Sequence, residues 1–286
     1  MQPKNSFFAL RALLLTAIAL SITLLASTGL AKAPAAIPAN VRQMSAQAAI
    51  LVDADTGEVL YEKNADQRMY PASTTKMLTA ILAIEDGRPD RIVEISPNAA
   101  DVETTRVRPG EEARLMDLVK QMLMISDNGA ALAVAEAVGG SVPAFAERMN
   151  EKARDIGATN SHFVNPNGMP DENHYSTARD LEKIAAYGMK LPAFKSIVGT
   201  KEATIYYLTP EGYKTYCENS NALLYDYDGA TGIKTGWTRA AGGCLVASAT
   251  RDGRNLIAVV LHSNNEDTRA ADARALLDYG FSAEES

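Results

Sequence analysis

Only two cysteines, three histidines and one tryptophan occur in 286 residues. Cys217 and Cys244 stand far apart and no HExxH or Cys-x-x-Cys spacing is present, so zinc-finger and zinc-protease chemistry lack their ligands. Basic runs are also missing. Lys and Arg total 28 against 35 acidic residues, a formal charge of −7. A nucleic-acid binder needs clustered cations to neutralise phosphates, so this acidic chain is a poor candidate for that class. The 19 glycines and 12 prolines follow no repeat, which rules out collagen-like and low-complexity chains. What remains, 47% hydrophobic and 22% charged residues, is the composition of a globular protein with one large domain or two modest ones.

Residues 1–31 read as a secretory signal. Lys4 and Arg11 give a positive start, Ala12 to Leu25 are apolar, and Gly29-Leu30-Ala31 offers a small-x-small site for cleavage before Lys32. Retention as an anchor helix is the competing reading, since Ala12 to Ala31 reaches the ~20 residues that span a bilayer. Either way the remaining chain faces an exported compartment, periplasmic or secreted after cleavage. Such a compartment permits a disulfide between Cys217 and Cys244; the plainer reading is two half-buried thiols in strands. Residues 32–45, rich in Ala and Pro, read as a flexible leader before a folded region over 46–281. The tail 282–286 offers neither an apolar face nor basic residues, so no C-terminal membrane anchor is expected, and no C-terminal β-rich domain.

Turn signals and alternation predict a hairpin from residues 48–52 and 58–62 around Asp55-Thr56-Gly57. Helical patterns follow at 73–85, 113–125, 130–138, 142–156 and 176–189, the fourth ending at Gly157 and the last capped by Ser176 or Thr177. Residues 106–110 and 158–175 read as loops. Strands are expected at 203–209, 213–217, 231–235, 244–250 and 256–261, then a helix over 268–279 capped by Gly280. Hairpin-joined strands cannot be parallel neighbours, so the pattern implies an α+β fold with a mainly antiparallel sheet and helices packed on it.

Three short motifs could carry chemistry. In Ser73-Thr74-Thr75-Lys76 the helical i, i+3 spacing brings the amine to the hydroxyl. A lysine whose pKa is lowered by burial or a nearby cation can serve as base for a serine nucleophile. A helix start also offers N–H groups to a developing oxyanion. Ser126-Asp127-Asn128 falls in the break between two apolar helices, unlike the Ser-x-Asn copies at 96–98 and 263–265. Lys234-Thr235-Gly236 ends a strand, where a cation and a hydroxyl suit a carboxylate and the glycine admits another backbone. Each motif alone also fits an ordinary cap, turn or strand end.

Together and in this order the three motifs resemble the penicillin-recognising serine enzymes. Tyr70-Pro71-Ala72-Ser73-Thr74-Thr75-Lys76-Met77, His162-Phe163-Val164-Asn165-Pro166-Asn167-Gly168 with His174-Tyr175-Ser176-Thr177-Ala178, and Gly232-Ile233-Lys234-Thr235-Gly236 narrow it. They resemble the serine-type D-Ala-D-Ala carboxypeptidases, the low-molecular-mass penicillin-binding proteins. The resemblance implies a DD-peptidase/β-lactamase-like α+β fold with helices on both sides of the sheet and a largely helical subdomain. It also implies a cell-wall hydrolase that removes the terminal D-Ala from peptidoglycan stem peptides, is inhibited by β-lactams, and needs no metal or cofactor. Ser73 would form the acyl-enzyme, with Lys76 as its base and Ser126 as proton relay. Asn128 would bind the substrate amide, and Lys234 with Thr235 its carboxylate. The N–H groups of Ser73 and Trp237 would form the oxyanion hole, and Arg269 would be an added carboxylate-binding arginine, though a plain surface arginine fits its position as well. A serine β-lactamase and a β-lactam-acylated sensor or binding protein are the alternatives on this fold. The common β-lactamase deacylation motif, E-x-x-L-N, is absent. His162 and His174 are expected to satisfy backbone groups, and Met122 and Met124 to pack in the core.

Overall fold

A computed structural model describes residues 36–282; the signal expected over 1–31 lies outside the described residues. The elements run α1 (Ala39–Arg42), β1 (Ala48–Asp53), β2 (Val59–Lys63), a 3-10 turn (Ala72–Thr75), α2 (Lys76–Glu85), β3 (Ile92–Glu94), α3 (Pro97–Ala100), β4 (Glu112–Arg114), α4 (Leu115–Ile125), α5 (Asn128–Gly139), α6 (Val142–Ile156), α7 (Ala178–Met189) and α8 (Pro192–Val198). They continue as β5 (Glu202–Tyr206), β6 (Lys214–Glu218), α9 (Leu223–Asp226), β7 (Ala230–Thr238), β8 (Gly242–Arg251), β9 (Arg254–Ser263) and α10 (Glu266–Ser282).

The main sheet has the order β2-β1-β9-β8-β7, with every pair antiparallel. Side chains alternate across a strand, so a sheet covered on both faces reads as continuously apolar. β1 shows this: all six residues are buried. Ala48, Ile50 and Val52 join the core built with α2, α4, α5, α6 and α7. Ala49 and Leu51 join a second core with α1 and α10 on the opposite face. Met122 and Met124 are fully buried in the first core.

The leader expected over 32–45 is corrected from residue 39 onward. Val41 is buried, Ser45 N and Oγ and Ala46 N all donate to the Asp272 carboxylate, and Ser263 Oγ joins them. A buried carboxylate with four donors anchors this segment on α10, a tie between distant residues that local composition does not reveal. Gly280 is likewise no cap. It lies inside α10, where an added Cβ would sit 2.6 Å from Leu256 Cδ1, so its role is close packing on the sheet. The helix begins two residues earlier than expected because Asn265 and Thr268 exchange hydrogen bonds across its first turn. α8, β3 and β4 are further elements that the sequence pattern did not mark. Cys217 and Cys244 are free thiols buried in β6 and β8, fully rather than half.

Candidate active site

The segment before α2 sets the first wall of the site. Ala72 takes a positive φ of 49° and Thr74 Oγ1 donates to Pro71 O, turning the chain so that Ser73 faces outward from the 3-10 turn. One turn later Lys76 is sealed from solvent, and its Nζ lies 2.7 Å from each of Ser73 Oγ, Asn128 Oδ1 and Asn167 O. An ammonium can donate to all three. A neutral amine has two N–H groups and one lone pair. The two carbonyl-type oxygens can only accept, so in the neutral form the lone pair is left for the Ser73 hydroxyl. Asn128 is oriented by its own network, because Nδ2 donates to Glu103 O.

Burial holds the Lys76 amine well below the ordinary lysine range, the Lys234 charge lowers it further, and Asp127 opposes both. Asp127 is itself saturated: Thr105 Oγ1, Arg106 N, Gln121 Nε2 and Ala130 N all donate to its carboxylate. That network caps α5 and fixes the turn in which Ser126 adopts the left-handed conformation, φ 62°. Such a backbone costs a non-glycine residue free energy. Here it turns Ser126 into the cavity.

The second wall is β7, an edge strand of the main sheet. Lys234 is 1% exposed, its Nζ donating to Thr235 O at 2.9 Å, and Thr235 Oγ1 meets Ser220 Oγ at 2.7 Å. Burial and the Arg269 charge bring the Lys234 pKa down to about 7. Arg269 is not a surface arginine: it is 7% exposed, donates to Gly236 O, and pairs with Glu266. At Gly236 an added Cβ would stand 3.0 Å from Ser73 N, so the strand backbone lies against the serine turn. Trp237, 51% exposed, forms the rim.

Between the walls is a cavity of about 590 Å³ lined by Ser73, Ser126, Asn128, Thr235, Trp237 and Arg269, with Lys76 and Lys234 buried behind it. All eight residues singled out in the sequence therefore meet in one place. The sequence pattern did not show the parts of Asp127, Asn167 and Ser220. Asn165-Pro166-Asn167-Gly168 carried a usable signal, an Asn followed by a turn glycine. Asn165 Oδ1 accepts from Gly168 N, and Gly168, at φ 86°, passes so close to Ala72 that a Cβ would fall 1.8 Å from Ala72 O. The other two Ser-x-Asn copies do structural work: Ser96 and Asn98 bind Glu136, and Ser263 binds Asp272. His174 accepts from Val164 N through Nδ1, which leaves Nε2–H for Thr75 Oγ1; His162 Nδ1 meets Asn173 O.

A serine beside a buried amine, a fixed hydroxyl-amide turn and a cationic edge strand form a constellation suited to serine acyl transfer. The chain belongs to the D-alanyl-D-alanine carboxypeptidase family, whose pattern it matches over residues 33–265. It is 36% identical to D-alanyl-D-alanine carboxypeptidase DacF of Bacillus subtilis, over 84% of this chain and 63% of that protein. It is 34% identical to DacA of Haemophilus influenzae, over 84% of this chain and 62% of that one. The chain thus spans less than two thirds of either relative's length. The crystal structure of the Streptomyces K15 DD-transpeptidase superposes with a TM-score of 0.80 at 33% identity, covering 84% of this chain and 98% of that one.

Proposed function

We propose that this protein is a serine D-Ala-D-Ala carboxypeptidase that removes the terminal D-Ala of peptidoglycan stem peptides through an ester on Ser73. The observation that carries the reading is the Lys76 amine, buried with Ser73 Oγ and two acceptor oxygens around it. Ser73 Oγ attacks the carbonyl of the penultimate D-Ala while Lys76 Nζ takes its proton. The N–H groups of Ser73 and Trp237 hold the oxyanion, in keeping with the close approach of β7 to the serine turn. Ser126 passes the proton to the departing D-Ala nitrogen, and water then opens the ester. A peptide laid along the free edge of β7 gains main-chain hydrogen bonds. Its terminal carboxylate reaches Thr235 Oγ1 and the field of Lys234 and Arg269, and the Asn128 amide contacts the substrate amide. β-Lactams, which present a carboxylate and a strained amide, acylate the same serine.

Release of D-Ala from a synthetic peptide ending in D-Ala-D-Ala tests this reading. Penicillin labelling of Ser73 without any D-Ala release would instead favour a sensor or binding protein. The residue 1–31 pattern supports export of the folded part, and fractionation of cells expressing the full chain checks it.

A further inference from the structure

Six of the eleven tyrosines fall between residues 206 and 227, and the fold sorts them. Tyr207 and Tyr227 are buried, whereas Tyr206, Tyr216 and Tyr225 are 61%, 53% and 41% exposed. β5 and β6 form a two-stranded ribbon with Thr204 opposite Tyr216 and Tyr206 opposite Lys214. Ile205, Thr215 and Cys217 are buried on its inner face. The outer face, where alternation ordinarily places polar side chains, carries Tyr206 and Tyr216 as diagonal neighbours. Eight large apolar side chains are exposed among the described residues. Four of them, Tyr206, Leu208, Tyr216 and Tyr225, belong to this ribbon and the segments adjoining it, and a fifth, Trp237, rims the catalytic cavity.

The ribbon joins that cavity at two points. Arg106 Nη1 donates to Tyr216 O while Arg106 N donates to Asp127, so β6 rests on the loop whose Thr104 lines the cavity. Two residues past β6, Ser220 meets Thr235 and lines the cavity itself. Charges around the face are balanced, with Lys201, Lys214 and Arg106 against Glu202, Glu211 and Glu218. A balanced surface attracts neither anionic lipid nor nucleic acid. It suits a neutral polymer whose rings lie flat on tyrosine faces while its hydroxyl and amide groups meet phenol, carboxylate and amine edges.

We propose that the outer face of the β5–β6 ribbon is a docking surface for the glycan strand that bears the stem peptides, held by stacking on Tyr206 and Tyr216. The identity of this occupant rests on the carboxypeptidase reading, because a peptide entering the cavity brings its polysaccharide carrier alongside. The test is retention of the full folded chain on beads carrying N-acetylglucosamine oligomers, the uncharged sugar backbone of such a strand, with D-Ala release from intact sacculi and from a soluble peptide measured in parallel. For Y206A/Y216A, two aromatic truncations predict about tenfold or greater loss of bead retention and of release from sacculi, with soluble-peptide turnover within about twofold of wild type. Y206F/Y216F keeps the rings and is expected to keep retention. Absence of wild-type retention, or equal retention by Y206A/Y216A, overturns the proposal. So does a concentration-dependent dimer that these tyrosines support, which would make the face a contact between copies. Bead retention needs no turnover, so failure of the soluble-peptide assay would strike the carboxypeptidase reading separately.

Discussion

Lys76 and Lys234 are both sealed from solvent, at 0% and 1% exposure, yet the two walls treat them differently. The helical wall surrounds Lys76 with a hydroxyl and two acceptor oxygens, and spends its nearest carboxylate, Asp127, on four other donors. The sheet wall gives Lys234 the oxygens of Thr235 and brings the Arg269 charge to bear on it. One environment favours an amine that can take a proton. The other leaves a cation with few acceptors, a setting that suits a carboxylate. The same side chain thus meets two electrostatic settings, set apart by acceptor geometry and neighbouring charge; under the proposed reaction one suits a base and the other a receptor.

The sharpest way to break this comparison is Lys76→Arg, which keeps the charge but cannot deprotonate. Loss of the general base should slow acylation by about a thousandfold or more, beyond what the cost of a larger side chain in a sealed site explains, provided circular dichroism shows the fold retained. Intact-mass measurement of penicillin-treated protein checks it. Near-normal labelling would remove Lys76 from the base role and make the two lysines equivalent.

The close approaches behind each wall separate them next. Gly168→Ala forces a Cβ to 1.8 Å from Ala72 O at a positive φ, and no side-chain movement relieves a backbone clash. A loss of about 2 kcal/mol or more is expected by chemical denaturation, together with loss of acylation. Gly236→Ala meets Ser73 N at 3.0 Å, Ala72 Cβ at 3.1 Å and Pro71 O at 3.2 Å, so the serine turn has to give by a few tenths of an ångström. There the midpoint should change less than in Gly168→Ala while acylation slows by about tenfold, since misplacing reacting groups costs rate. If Gly236→Ala proves the more destabilising, the serine turn is held by the sheet rather than by the 158–175 loop.

The motif residues of both walls were legible because their chemistry is local: i, i+3 spacing joins Ser73 to Lys76, and strand alternation joins Lys234 to Gly236. The hairpins and most helices were legible because periodicity survives burial. Asn167 was not, because its contribution is a main-chain carbonyl that any residue possesses, and only the loop's path delivers it. Ser220 and Asp272 act across 15 and 227 residues of chain, distances at which composition says nothing about contact. Gly280 misled for a related reason. A glycine near a helix end reads as a cap unless the sheet that packs against it is known.

The receptor side is sharpened by Lys234→Gln, which removes the charge and keeps a donor. Peptides with a free C-terminus should lose about tenfold to a hundredfold in kcat/KM, as expected for a charge-assisted contact, and C-terminal amides far less. The pH profile gives an independent reading. In the proposed reaction the cationic form binds the carboxylate, and with a pKa of about 7 that form fades as pH rises. The kcat/KM for free-acid peptides should therefore fall on the alkaline side with a midpoint near 7, a limb that amide substrates lack. Equal losses on both substrates would mean that Lys234 acts through its field on Lys76 instead of on the carboxylate.

His174 provides the smallest and most local test, on the helical wall alone. It is fully buried, bridging Thr75 beside Lys76 to Val164 in the 158–175 loop. Burial is the main cause that brings its pKa from 6.5 down to about 4. The folded state therefore binds fewer protons than the unfolded state between pH 4 and 6.5, so stability must rise with pH across that window and be lost as pH falls through it. The full amplitude is about 3 kcal/mol. Asp53, Asp66 and Asp86, whose pKa values are held below their ordinary 3.8, lose their contributions only at more acid pH, whereas Glu111 and Glu182, raised above 4.5 by burial, act within the window with the opposite sign, so the share of the imidazole is the difference between wild type and variant. His174→Gln should be less stable at pH 7.5 yet show a flatter thermal midpoint between pH 6.5 and 4. A variant with the wild-type slope would show that another group on the helical wall titrates there, and that His174 only fills space between the loop and the serine turn.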